Sequence, residues 1–170
     1  VKGNTISYIA TGPGPNQAVE AALCGCNVHL ISKIGGDPFG QMAKESLSEY
    51  DVNVEYIRKA EVKKTGVILT FISSEGENTE CHYIGANVAL SSRDIDVAEG
   101  IISEADVCLI HGSLPEDAIV AAIKNAKVHG KKAILNPEKP IDQKVKESGG
   151  LPNEFFMVDM IISNLGDAAE

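Results

Sequence analysis

The chain has 170 residues, roughly the length of one domain, so it can bury a hydrophobic core without disulfides or metal ions. It carries 15 Lys and Arg against 24 Asp and Glu, a net charge of −9, which argues against a nucleic acid or an anionic membrane as its main partner. With 44% hydrophobic and 23% charged residues and only four cysteines, the composition is that of a globular protein of a reducing, cytoplasmic compartment.

The N-terminal region is predicted to alternate helices and a strand. Apolar residues over 16–24 recur at helical spacing, and Gly25 is a suitable helix end. Residues 28–31 predict a strand. Asp37 and Pro38 then provide an N-cap and a first-turn proline for a second helix. We expect the buried stripe of that helix to contain Phe39, Met42, Ala43, Ser46, Leu47 and Tyr50.

Residues 54–84 change to a strand period. The pattern predicts strands at 54–57, 66–72 and 80–84, with a turn at 74–78. Two of these strands should form a hairpin. We therefore expect a small inserted β lid at 54–84, separate from an α/β core made of 1–53 and 85–170.

From residue 91 onward the helix and strand alternation resumes. A helix is predicted at 94–103, a buried strand at 107–110, a second helix at 116–129, and strands at 133–135 and 160–162. Short apolar strands separated by helices indicate right-handed crossovers and a parallel sheet with helices on both faces. The patterns at both ends also look interrupted, so we expect the chain to be part of a larger fold.

A glycine-containing turn precedes the first predicted helix. Gly12, Gly14 and Asn16 lie where backbone N–H groups and a helix N-terminus can approach a ligand. A dinucleotide fingerprint would need a third glycine, and this chain has Gln17 there. The other interpretations of the turn are a dinucleotide-binding α/β enzyme and a stiff turn in which Asn16 only caps the helix.

Two further groups of residues are candidates for a metal-binding or ligand-binding site. Cys24, Cys26 and His29 could be offered as metal ligands, although the second spaced pair of a structural zinc site is missing from the sequence. His111 follows a predicted strand and lies either at a binding cleft or in an ordinary loop.

Six segments in order give the chain a family resemblance. It resembles the ribokinase-like sugar kinases, the PfkB carbohydrate kinase family, over essentially its whole length and over the N-terminal half or somewhat more of a typical member. The segments are Gly12–Ala18, Gly35–Gly40, Thr65–Val67, Gly85–Asn87, Leu135–Pro137 and Ile162–Asn164.

The resemblance implies an ATP-dependent transfer of the γ-phosphoryl group to a sugar hydroxyl, with Mg²⁺ as the accompanying ion. It also implies that the β lid closes over the sugar and can form a homodimer contact. The implied sugar-binding residues are Gly12, Gly14, Asn16, Gly85, Ala86 and Ser113. The implied nucleotide and phosphate residues are Asn164 and Asp167, with Asp167 also at the metal.

The sequence departs from the family pattern in one consequential place. The G-A-G-D segment that carries the family's catalytic Asp does not occur in the 170 residues, so no catalytic base is assigned. We expect these residues by themselves to be inactive in phosphoryl transfer. The alternatives are a catalytically inactive member that binds a sugar or dimerises, and the dinucleotide-binding enzyme.

Overall fold

The computed structural model describes residues 4–137 and 150–163, and these fall into two compact units, Val1–Gly85 and Ala86–Glu170. Parallel strands and helices alternate in each unit, which confirms the expected α/β class. The division into an α/β core (1–53 and 85–170) and a lid (54–84) stays a prediction. No helix among the described residues is long and apolar enough to cross a membrane.

The first unit contains two helices, two parallel strands and a hairpin. Its elements are α1 (Pro13–Leu23), β1 (Ser32–Ile34), α2 (Pro38–Glu49), β2 (Ile57–Lys59), β3 (Val67–Ile72) and β4 (Asn78–Tyr83). Strands β1 and β2 pair in parallel, with Ser32 opposite Ile57. The core between these strands and the two helices consists of Ala18, Ile34, Leu47, Val52 and Ile57.

The expected strand at 28–31 is wrong. The chain there forms only an isolated parallel bridge between His29 and Asn53, and the regular ladder begins at Ser32. Val28 and Leu30 pack against the core cluster, and their backbone hydrogen bonds with Asn53 do not continue into a regular ladder.

The second helix begins as predicted. Asp37 is its N-cap, Pro38 follows in the first turn, and the Asp37 side chain accepts a hydrogen bond from the Gly40 N–H. Of the predicted stripe, Leu47 is buried, Phe39 and Tyr50 are exposed, and the other members are half-buried.

Of the strands predicted within 54–84, the first lies at a different position and the other two form the hairpin. The strand expected at 54–57 lies at Ile57–Lys59 and belongs to the parallel pair with β1. Strands β3 and β4 form the predicted antiparallel hairpin, in register from Val67 opposite Tyr83 to Ile72 opposite Asn78. Every residue of the two strands except Val67 is exposed.

The second unit is a three-stranded parallel sheet with helices. After a 3₁₀ turn at Gly85–Ala89, its elements are α3 (Ser92–Val97), α4 (Glu99–Glu104), β5 (Val107–His111), α5 (Glu116–Val128), β6 (Lys132–Asn136), a 3₁₀ turn at Asn153–Met157 and β7 (Met160–Ile161). The strand order is β5-β6-β7, and α5 packs on the sheet. The core consists of Ile110, Ile119, Ile123, Ala126, Ala133, Leu135 and Phe155.

One expectation for this unit is wrong. The single helix predicted at 94–103 is divided at Ala98, whose non-helical backbone separates α3 from α4. Val107 and Leu109, on one face of β5, are 45% and 47% exposed. The neighbouring Ile110 faces α5 and is buried.

Candidate functional site

The glycine turn forms the N-terminus of α1. Gly12 is the N-cap, with φ of 137°, a backbone conformation that residues with a side chain rarely adopt. Its carbonyl accepts the first helical hydrogen bond, from the Asn16 N–H at 2.9 Å. The interpretation of Asn16 as the helix cap is therefore wrong, because the helix begins at Pro13 and Asn16 already lies within its first turn.

Two prolines reduce the number of free backbone N–H donors at the N-terminus of α1. An α-helix has unpaired N–H groups in its first turn, but Pro13 and Pro15 have none. The N-cap residue supplies no side-chain acceptor, so the Gly14 N–H is the donor that this turn keeps for a ligand. A Cβ on Gly14 would meet no atom within 4 Å, so the space beside it is open.

Asn16 presents a polar side chain next to that donor. The residue is exposed, and its Oδ1 accepts a hydrogen bond of 3.3 Å from the Thr11 hydroxyl. In the described part of the chain its Nδ2 has no acceptor. The turn therefore offers a backbone donor and an amide donor side by side, which suits the oxygens of a polyhydroxyl ligand.

Gly85 lies at the root of the hairpin, in the same compact unit as the glycine turn. Its φ is 58°, and a Cβ there would come within 2.5 Å of the Lys64 carbonyl oxygen and 2.7 Å of the Gly66 nitrogen. The chain that leaves the hairpin thus lies in close contact with the chain that enters it. Gly85 is required by this close approach, and its role toward a sugar stays a prediction.

One contact at the root of the hairpin was not predicted from the sequence. The Asp37 carboxylate binds Thr65 through both oxygens: Oδ2 accepts from the Thr65 N–H and Oδ1 from its hydroxyl, both at 2.8 Å. Burial raises the pKa of Asp37, but the hydrogen bonds from Thr65 and Gly40 and the nearby Lys64 charge outweigh it, so the pKa lies below its usual value. Asp37 and Thr65 each lie in a segment that carries the family resemblance, but no local sequence pattern connects the two.

Ala86 and Ser113 belong to the second unit. Ala86 is fully buried, and its role toward a sugar stays a prediction. Ser113 is exposed in the loop after β5, and its hydroxyl lies 2.8 Å from Nδ1 of His111, the last residue of the strand. In open α/β sheets, loops at the carboxyl ends of parallel strands are where ligands bind.

The expected phosphate and metal residues, Asn164 and Asp167, lie outside the described residues. Within 4–137 and 150–163, no group of three or more His, Cys, Asp or Glu could hold a metal ion. The alternative site at Cys24, Cys26 and His29 is therefore not formed, and both of these cysteines are free and exposed.

Comparison with known proteins identifies the family. The family model described as "pfkB family carbohydrate kinase" matches residues 1–156. The ribokinase of Staphylococcus aureus (strain COL) is 32% identical over 158 residues, covering 92% of this chain and 49% of that protein. The deoxyribokinase of Salmonella typhi is 30% identical over 146 residues, covering 86% of this chain and 47% of that protein.

The fold comparison agrees with the sequence comparison. The structure of Arabidopsis thaliana ribokinase complexed with ribose and ATP matches with a TM-score of 0.82 at 23% identity, covering 99% of this chain and 53% of that one. The chain thus spans about half the length of the curated relatives that it matches. The order of motifs, the parallel α/β fold and the match over residues 1–156 show that this chain belongs to the pfkB family of carbohydrate kinases.

Proposed function

We propose that the protein to which this chain belongs transfers the γ-phosphoryl group of ATP to a hydroxyl of a pentose or a related sugar, with Mg²⁺. The family match over residues 1–156 carries this proposal, because its members are carbohydrate kinases. Relatives at 30–32% identity are named ribokinase and deoxyribokinase, and the Arabidopsis thaliana ribokinase structure is a complex with ribose and ATP. We propose the cytoplasm as its location, since all four cysteines are free thiols.

The glycine turn supports a sugar as the acceptor. Phosphoryl transfer depends mainly on alignment of the attacking hydroxyl, so the enzyme must hold the sugar by its other hydroxyls. The Gly14 N–H and the exposed Asn16 amide are polar groups of this kind at one helix end. Gly12, Gly85, Ala86 and Ser113 complete the proposed sugar-binding set. Asn164 and Asp167 are the proposed phosphate residues, with Asp167 also at Mg²⁺.

The experiment is a product analysis. The protein, expressed from its whole natural reading frame, is incubated with ATP, Mg²⁺ and one sugar at a time: ribose, 2-deoxyribose, fructose or glucose. We expect equal amounts of ADP and sugar phosphate with at least one pentose. Sugar binding without ADP formation would favour the inactive sugar-binding alternative. Binding of NAD or NADP with no sugar binding would favour the dinucleotide alternative.

We also propose that the hairpin joins two copies of the chain. Side chains on both of its faces are apolar and exposed: Leu69 and Phe71 on one, Ile68 and Ile72 on the other, with exposed fractions from 39% to 72%. An isolated two-stranded hairpin is marginal in water, and apolar patches of this kind mark interaction surfaces. A second copy supplies an identical, self-complementary hairpin.

Sedimentation velocity over a hundredfold range of concentration tests the dimer. Phe71→Lys should shift the protein toward the monomer, because a charge would be buried at the interface. Val62→Lys is the matched control, since Val62 is 90% exposed and lies outside the hairpin. A wild-type protein that stays monomeric throughout the range, or an equal effect of both variants, would contradict the proposal.

A further inference from the structure

A small hydrogen-bond cluster joins the start of α2 to the root of the hairpin. Besides its two bonds to Thr65, the Asp37 carboxylate accepts from the Gly40 N–H at 3.0 Å. The Thr65 hydroxyl in turn accepts from the Gly35 N–H at 2.9 Å. Asp37 and Thr65 are 28 residues apart, so the cluster connects two segments that the chain does not hold together by itself.

Three glycines allow the backbones to meet at this point. A Cβ on Gly40 would come within 2.5 Å of the Gly35 carbonyl oxygen and 2.8 Å of the Thr65 hydroxyl. A Cβ on Gly35 would overlap both Asp37 and Thr65. A Cβ on Gly85 would come within 2.8 Å of the Thr65 carbonyl carbon. The entering strand, the leaving strand and the N-terminus of α2 are therefore in direct contact.

Within one copy of the chain, the hairpin beyond this point has little other support. Each residue of β3 and β4 from Ile68 onward is exposed, so packing on a core does not fix the direction of the strands. A ladder of two strands alone is only marginally stable. How often the hairpin opens should then depend on how firmly its root is held.

We propose that Asp37 and Thr65 form a latch that fixes the root of the β3–β4 hairpin on the N-terminus of α2. Asp37 is a positioning residue in this arrangement, because it acts on the hairpin through Thr65. Its capping bond to Gly40 holds the carboxylate in place, and both oxygens then bind the entering strand. The latch stands independently of whether the protein phosphorylates a sugar.

Amide hydrogen exchange of the protein expressed from its whole natural reading frame tests the latch, with three variants. Thr65→Val keeps the shape of the side chain and removes the hydroxyl, whereas Thr65→Ser keeps the hydroxyl. Asp37→Ser keeps a good N-cap for Gly40, but serine has a single oxygen on a shorter side chain and cannot make both bonds to Thr65. Amides of β3 and β4 are the readout, amides of α2 report the stability of the first unit, and amides of α5 report the second unit.

We expect the amides of β3 and β4 to exchange about tenfold faster in Thr65→Val and Asp37→Ser, while those of α2 and α5 stay within about twofold of the wild type. Thr65→Ser should restore the wild-type rates. If Asp37→Ser matches the wild type, Asp37 is only a helix cap and the latch is overturned. Equal acceleration of hairpin and α2 amides would also overturn it, because the cluster would then stabilise the whole unit.

Discussion

The His111 imidazole and the Ser113 hydroxyl form a hydrogen bond of 2.8 Å at the carboxyl end of β5. The Ser113 N–H also lies 3.4 Å from the same ring nitrogen, Nδ1. In the tautomer whose Nδ1 is unprotonated, that nitrogen accepts from both groups and the hydroxyl is the donor. The oxygen of Ser113 then keeps its lone pairs for a donor from a ligand. His111 thus orients Ser113 toward the loop edge where strand ends bind ligands.

Ser113→Ala should therefore weaken sugar use without weakening the fold. Under the proposed function we expect kcat/KM for the sugar to fall by about fivefold to tenfold, since one hydrogen bond is lost. The free energy of unfolding should change by less than about 0.5 kcal/mol, because the residue is exposed. Ser48→Ala, at an exposed helix serine, is the control. Equal kinetics in the two variants would remove Ser113 from the site.

Gly40→Ala should destabilise the protein although alanine favours helices. An added methyl would lie 2.5 Å from the Gly35 carbonyl oxygen, so backbone must move, at a cost of about 1–3 kcal/mol. Gly100→Ala is the matched control, because Gly100 lies in α4 with no atom within 4 Å of a Cβ. That change should stabilise the protein by up to about 1 kcal/mol. Urea unfolding followed by circular dichroism measures both, and a neutral Gly40→Ala would contradict the close packing.

The contribution of Asp37 to stability should disappear in acid. Its folded pKa lies below the unfolded value of about 3.9, so its stabilising effect is present above that value and is lost as the pH falls through the folded pKa. Asp37→Asn should therefore lower the Tm near neutral pH, and the difference from wild type should shrink as the pH falls below about 4. Thermal unfolding at a series of pH values checks this. A difference that stays constant or grows in acid would contradict the ionised contact.

Local signals predicted several elements well. Asp37 and Pro38 specify a helix start through an N-cap and a fixed φ, and the structure begins α2 there. The strand period around 66–84 predicted the β3–β4 hairpin, because alternation and a glycine-containing turn are local properties. The start of α1 was missed by three residues, since Gly12 acts as a cap without offering a side chain.

Features that depend on distant partners were not predictable in the same way. The division between α3 and α4 occurs at Ala98, a good helix former, although Gly100, a poor helix former, follows two residues later. The strand expected at 54–57 was shifted because its pairing with β1 sets its position. The bonds from Asp37 to Thr65 span 28 residues, a distance that periodicity cannot bridge.

The most direct test of a sugar kinase that uses the glycine turn is the initial rate of sugar phosphate formation against sugar concentration, for wild type, Asn16→Asp and Asn27→Asp. Asn16→Asp replaces the amide donor with a carboxylate that the N-terminal end of α1 tolerates. Asn27→Asp makes the same change at an exposed loop residue. We predict that wild type and Asn27→Asp form sugar phosphate at equal rates. For Asn16→Asp, kcat/KM for the sugar should fall by an amount that corresponds to about 1–3 kcal/mol of lost transition-state stabilisation, with the KM for ATP unchanged. No sugar phosphate from the wild type, or an Asn16→Asp variant as efficient as the wild type, would contradict the account.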